Sequence, residues 1–169
     1  MHVIRLVKAD LFKLVDSAPQ REFVIAHGCN AQGKMGAGFA KEFAQRYPSS
    51  FQKYVKMLQD YKDQRVLGMV SWDTVNADMM FTASIITQQY YGKDKEMYVD
   101  IVAFVEGLAT VITFARMLNL DVYIPLIGAG YGGLTPDQSM TYIRAALQRA
   151  NTTDRTIGNV TKLLTVCYQ

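Results

Sequence analysis

His27, Cys29 and Asn30 stand close together in the chain, and the residues around them are glycines. An imidazole can move protons, a thiolate can attack, and an amide can both donate to and accept from a sugar diol. Eight of the twelve glycines fall in two clusters, at 28, 33, 36 and 38 and at 128, 130, 132 and 133. Glycine leaves no side chain between a backbone N–H and an approaching anion, and a following helix adds the favourable end of its dipole. Each cluster is expected between a strand and a helix, which is where open α/β sheets bind ligands. Two equivalent clusters therefore predict a phosphate or diphosphate ligand, where one alone would read equally well as a tight turn.

Two familiar motifs are approached and missed. Gly28 to Met35 follows the P-loop pattern up to its last position, where Met35 replaces the Ser or Thr that holds magnesium. Gly36 and Gly38 also fall where that motif's helix should begin. Gly128, Gly130 and Gly133 spell the dinucleotide fingerprint, which needs an acidic residue ending the next strand. Asp154 has the spacing but precedes the last expected strand, and 36 residues after Gly133 are too few for the rest of a Rossmann domain.

The elements that would position these residues can be read from periodicity. Strands are expected at Val3 to Val7, Phe23 to Ala26, Val66 to Trp72, Met79 to Thr87, Val122 to Ile127 and Leu163 to Val166. Asp10 suits the cap of a short helical turn, and a loop including Pro19 follows it. A helix through Phe39, Phe43 and Tyr47 ends at Pro48. Ser49 or Ser50 would cap the next, which carries Phe51, Tyr54, Val55 and Leu58. A polar loop from Gln88 to Glu96 leads to a long apolar helix within Val99 to Leu118. Thr135 and Pro136 open a helix to about Ala150. Strands alternating with helices predict a three-layer α/β/α sandwich on a mixed, largely parallel sheet of about six strands, with residues 1–169 forming a single domain.

Composition narrows the function. With 50% hydrophobic and 20% charged residues, an ordered core is expected. A net charge of +3 does not by itself imply a nucleic-acid binder. Asp100, Glu106 and Arg116 interrupt the most apolar segment, and Met1 to Asp10 lacks a signal peptide's apolar stretch, so a cytoplasmic protein with no membrane partner is expected. Two cysteines, Cys29 and Cys167, and two histidines, His2 and His27, give no zinc spacing, and neither a metal nor a cofactor is expected.

Lys8-Ala9-Asp10-Leu11, His27-Gly28-Cys29-Asn30, the run Lys34 to Ala40, and Ile124 to Gly130 together resemble the macro domain, the ADP-ribose-binding fold. That resemblance implies that Asp10 accepts a hydrogen bond from adenine, supported by the backbone at Leu11, although Asp10 reads equally well as a helix cap. It places Asn30 at the distal ribose. Gly36, Gly38 and Phe39 would line the first phosphate loop, and Gly128, Ala129, Gly130, Tyr131, Gly132 and Gly133 the second. Lys34 reads as a solvated loop charge. The His-x-Cys-Asn segment and Arg46-Tyr47-Pro48 look most like the branch that hydrolyses ADP-ribose-1″-phosphate. The Met-Gly-x-Gly and Gly-Gly-Leu pieces also resemble antitoxin macro domains that remove ADP-ribose from DNA.

Gly132 stands where the family often has an aromatic residue against the distal ribose, and where the branch acting on protein carboxylates has a catalytic Asp. Gln88 stands where the glycohydrolase branches use a lysine, and a glutamine amide has no basic lone pair. Lys93 or Lys95 nearby could compensate. No arginine follows Cys29 at the spacing of a cysteine-dependent phosphatase loop. The leading expectation is therefore a monomeric protein that binds ADP-ribose and hydrolyses ADP-ribose-1″-phosphate, with His27 and Asn30 catalytic. Whether His27 is acid, base or nucleophile stays open. A non-catalytic ADP-ribose module and a glycohydrolase are the alternatives, with nucleic acid a partner only as an ADP-ribosylated substrate.

Overall fold

Phe23–Asn30 contains no charged residue and forms a strand, β2, that is buried almost throughout. A strand buried on both faces belongs inside a parallel sheet. The computed structural model describes residues 2–18, 22–76, 80–94, 97–153 and 161–169. The other strands are β1 (His2–Lys8), β3 (Val70–Thr74), β4 (Met80–Gln88), β5 (Asp121–Pro125) and β6 (Lys162–Tyr168). Their order is β1-β6-β5-β2-β4-β3, parallel throughout except for the antiparallel edge strand β3. The helices are α1 (Leu11–Asp16), α2 (Gly38–Arg46), α3 (Pro48–Asp60), α4 (Ile101–Met117) and α5 (Pro136–Thr153).

Strand alternation sorts the core into two layers. Val24, Ala26, Ala83, Ile85, Val122 and Ile124 point towards α4 and α5. Phe23, Ile25, Cys29, Met80 and Ile86 point towards α1, α2 and α3. The expected three-layer sandwich on a six-stranded, largely parallel sheet is thus observed. By the same period of two, His27 joins Phe23 and Ile25 on the α2 side. Its ring lies 4.0 Å from that of Phe43 and 5.4 Å from that of Phe39. Burial alone holds its pKa at about 3, against an ordinary 6.5.

Local chemistry explains the element ends. Asp10 caps α1 by accepting from the Lys13 N–H at 3.0 Å. Thr135 and Gln138 form a capping box at α5, each side chain bonded to the other's backbone N–H. Several boundaries differ from the sequence reading. β2 continues past Ala26 to Asn30, because its pairing with β4 carries through Gly28. A Cβ at Gly28 would lie 2.7 Å from Thr87 Oγ1, so only glycine lets the strands run on. β3 begins at Val70, since Gly68 at φ +86° turns the chain first. Neither Ser49 nor Ser50 caps α3: Tyr47 occupies that position with Pro48 in the first turn. Ser50 is buried and donates to Asp73, while Thr82 donates to Ser50 at 2.8 Å. β5 ends at Pro125, two residues before Ile127. Pro19, Met79, Lys95, Glu96 and Asp154 lie outside the described residues. Among the described residues no helix is long and apolar enough to cross a membrane, and no group of three His, Cys, Asp or Glu side chains could hold a metal.

Two measurements test this packing. Gly107→Ala gains about 1 kcal/mol of helix propensity. Its new Cβ, however, would stand 2.3 Å from Ile85 Cγ2 and 3.2 Å from the Gly68 carbonyl. Overpacking wins, and urea unfolding should show a net loss of about 1–3 kcal/mol. His27 gives a pH signature. The unfolded ring takes its proton near pH 6.5 and the native ring near 3. Its contribution is therefore complete above 6.5 and is lost as pH falls towards 3, by up to about 1.4 kcal/mol per pH unit. His27→Phe should flatten the stability curve between pH 6 and 4. An unchanged slope would assign the acid sensitivity elsewhere, with His2, also depressed by burial, the next group to replace.

Candidate functional site

The chain leaves β2 for the α2 and α3 face, whereas it leaves the adjacent β5 for the α5 face. Neighbouring parallel strands whose connections part in this way open a crevice at their carboxyl ends. The two glycine loops flank that crevice. Between them lies a groove of about 650 Å³, within the range of sites for small molecules and cofactors. Residues 27–30, 33–40, 51, 87, 88, 91–93, 125–129, 131 and 132 line it. Lys34 and Lys93 are the charged side chains among these described residues, so the groove favours an anion.

His27, Asn30, Gly36, Gly38, Phe39, Gly128, Ala129, Tyr131 and Gly132 therefore come together at the groove. Asp10, Leu11, Gly130 and Gly133 do not line it. The Asp10 carboxylate caps α1 through Lys13 and also accepts from the Gln169 amide at 3.3 Å. Leu11 is 4% exposed and packs in the α1 core. Gly130 and Gly133, at φ +76° and +85°, shape the second loop instead of facing the groove.

Asn30 ties the first loop. Its Oδ1 accepts from the Gln32 and Lys34 N–H groups at 3.0 and 3.2 Å, and its Nδ2 donates to the Lys34 carbonyl at 2.7 Å. One amide hydrogen remains for a ligand. His27 forms the floor but is only 1% exposed, with Nε2 3.1 Å from Ser84 Oγ. An imidazole with a pKa of about 3 carries no imidazolium proton to give at neutral pH. Burial thus favours the neutral ring at this position. Burial pushes the Cys29 thiol far up, so no thiolate is available there for attack.

The second loop supplies the aromatic lining. Gly132 lines the groove with its backbone, since a Cβ there would run into Val99 Cγ2 at 2.8 Å and leave no room for an aromatic side chain without a shift of Val99. The exposed ring of Tyr131 crosses towards the first loop instead, its edge 3.6 Å from where a Gly38 Cβ would stand. Lys93 Nζ sits 5.7 Å over the same ring. Gln88, at the end of β4, donates to the Tyr90 carbonyl at 2.6 Å. Phe51, Thr87 and Tyr91 are lining residues that sequence reasoning missed. Phe51 was hidden by its helical spacing with Tyr54 and Val55. The tyrosine pair in an otherwise polar loop was the available signal for Tyr91.

Comparison with known proteins agrees with this architecture. The macro domain family model matches residues 26–143. A curated relative from Debaryomyces hansenii, named ADP-ribose 1″-phosphate phosphatase, is 30% identical over 112 residues, which is 60% of this chain and 63% of that protein. The match thus spans less than two thirds of the relative's length. The macrodomain of Thermus aquaticus DarG superposes with a TM-score of 0.71 at 21% identity, over 100% of this chain and 99% of that one. The Trypanosoma brucei macrodomain, solved in complex with ADP-ribose, gives a TM-score of 0.67 at 9% identity, over 98% of this chain and 64% of that one. A family match over most of the sequence, on the six-stranded sheet just described, makes this chain a member of the macro domain family.

Proposed function

We propose that this protein binds ADP-ribose in the groove between the two glycine loops. The observation that carries the reading is the pairing of these loops at the carboxyl ends of β2 and β5, around a groove whose charged side chains are two lysines. Backbone N–H groups of the loops receive the diphosphate, and Lys34 and Lys93 offset its charge. Phe39 and Tyr131 add aromatic lining from the two loops. The Trypanosoma brucei relative, whose fold this chain shares, holds ADP-ribose.

The name of the curated relatives favours a second reading, hydrolysis of ADP-ribose-1″-phosphate. Water attacks the terminal phosphorus, the bond from phosphorus to the ribose oxygen breaks, and ADP-ribose and inorganic phosphate leave. Loop amides would stabilise charge on the phosphoryl group, and Lys93 is a nearby cation. His27 and Asn30 enter this reading as neutral positioning groups. A glycohydrolase is disfavoured, because Gln88 and Gly132 supply neither the amine nor the carboxylate that such chemistry uses.

Gly36→Val tests the site directly. Its Cβ would meet no protein atom within 4 Å, so stability should hold within about 0.5 kcal/mol. ADP-ribose affinity by calorimetry should nevertheless fall at least about ten-fold, because the valine enters the groove. Wild-type affinity in this variant would put the ligand elsewhere. Hydrolysis is tested by phosphate release from ADP-ribose-1″-phosphate. An inflection at about pH 6, where the substrate's own phosphate monoester titrates, should survive His27→Phe, since His27 stays neutral down to about 3. An inflection removed by His27→Phe would restore the ring as an acid–base group, and tight binding without release would leave a pure reader.

A further inference from the structure

Tyr54 stands on the buried face of α3 and is fully buried, although nothing in its helical spacing with Phe51, Val55 and Leu58 sets it apart from a core residue. Its hydroxyl does not face solvent or the groove. It donates to the Asn30 backbone carbonyl at 2.6 Å, with Asn30 Oδ1 within 3.1 Å. The contact falls where β2 slips register against β4, between Cys29 and Asn30, so the strand ladder is irregular there. One hydroxyl therefore holds both the backbone and the side chain of Asn30, the residue that itself bridges to Gln32 and Lys34. At the other side of α3, Ser50 bonds Asp73 and Lys53 pairs with the same carboxylate, which fixes the helix against β3.

We propose that Tyr54 is a positioning residue. Held by α3, its hydroxyl fixes Asn30 and so sets the first glycine loop in the shape that receives the diphosphate. The ligand half of this inference rests on the ADP-ribose reading, and the loop-setting half rests on the bonds themselves. A phenylalanine would keep the ring but leave the buried Asn30 carbonyl without its donor, which is the costly half of a broken pair. Asn30 would then be free to turn, and the Gln32 and Lys34 amides would lose a fixed acceptor.

The experiment compares Tyr54→Phe with Thr82→Val, which breaks the Thr82–Ser50 bond at the far side of α3 and leaves Asn30 untouched. Calorimetry with ADP-ribose and amide exchange of the free proteins are read together, at temperatures that match the two stabilities. Tyr54→Phe should weaken ADP-ribose about ten-fold and strip protection from the Gln32 and Lys34 amides, while α3 stays protected. Thr82→Val should do neither. Unchanged affinity and protection in Tyr54→Phe would overturn the proposal. Should that variant not fold, exchange in the wild type decides: Gln32 and Lys34 amides as labile as those of an open loop would overturn it, and slow exchange would support it. Absence of ADP-ribose binding by the wild type would defeat the functional reading and the ligand half alone, with exchange still deciding the loop-setting half.

Discussion

Parallel pairing of β2 with β4 on one side and β5 on the other is the constraint on which the rest depends. It removes β2 from water on both faces, so every side chain on it must be apolar, small or internally bonded. It also fixes where a ligand can go. Since β2 and β5 send their chains to opposite faces, nothing can fill the space above their carboxyl ends except the loops themselves. Gly28 shows how tight the arrangement is, with Thr87 and Ile127 both inside 3 Å of a Cβ that is not there.

The same burial decides which chemistry the groove can offer. His27 and Cys29 lie on β2 with matching parity, both on the α2 side, and lose their charged forms together. What remains charged has to come from loops outside the sheet, and Lys34 and Lys93 do. The groove is thus better built to hold a polyanion than to shuttle protons. Backbone dipoles and two cations can neutralise a diphosphate at little cost, whereas neutral-pH acid–base catalysis would require a titrating group that the strand has suppressed.

Much of this was legible in the residues. Alternating strands and helices gave the architecture, and the glycine clusters located both loops. Thr135-Pro136 and Asp10 announced their helices through local hydrogen bonds. The state of His27 was legible too in principle, since counting by twos from Phe23 places it inward. The catalytic expectation for His27 came instead from the resemblance of the His-x-Cys-Asn segment to the phosphatase branch. Asp10 carried two compatible meanings, cap and ligand, and the hydrogen bonds of α1 show the cap. The Tyr54 contact was not legible at all, because a helical tyrosine at core spacing looks the same whether or not its hydroxyl finds a partner.

The departures at Gly132 and Gln88 belong to one local rearrangement. The Gly132 carbonyl accepts from the Tyr98 and Val99 N–H groups at 3.0 and 3.4 Å, which pulls the second loop onto the start of α4. Val99 then occupies the volume that a side chain at 132 would need. With that position closed, the aromatic surface at the mouth comes from Tyr131, one residue earlier, and its outward turn brings it under Lys93. Gln88 sits beneath the same loop, and its amide donates to the Tyr90 carbonyl. The amine on this side of the groove, Lys93, therefore lies on a loop, against a ring, and not at the tip of β4. A cation so placed is free to follow a phosphate and poorly fixed for attack on one particular carbon, where about 1 Å of error costs a hundred-fold in rate. Under the ADP-ribose reading, this end of the groove is suited to charge neutralisation rather than to attack on carbon.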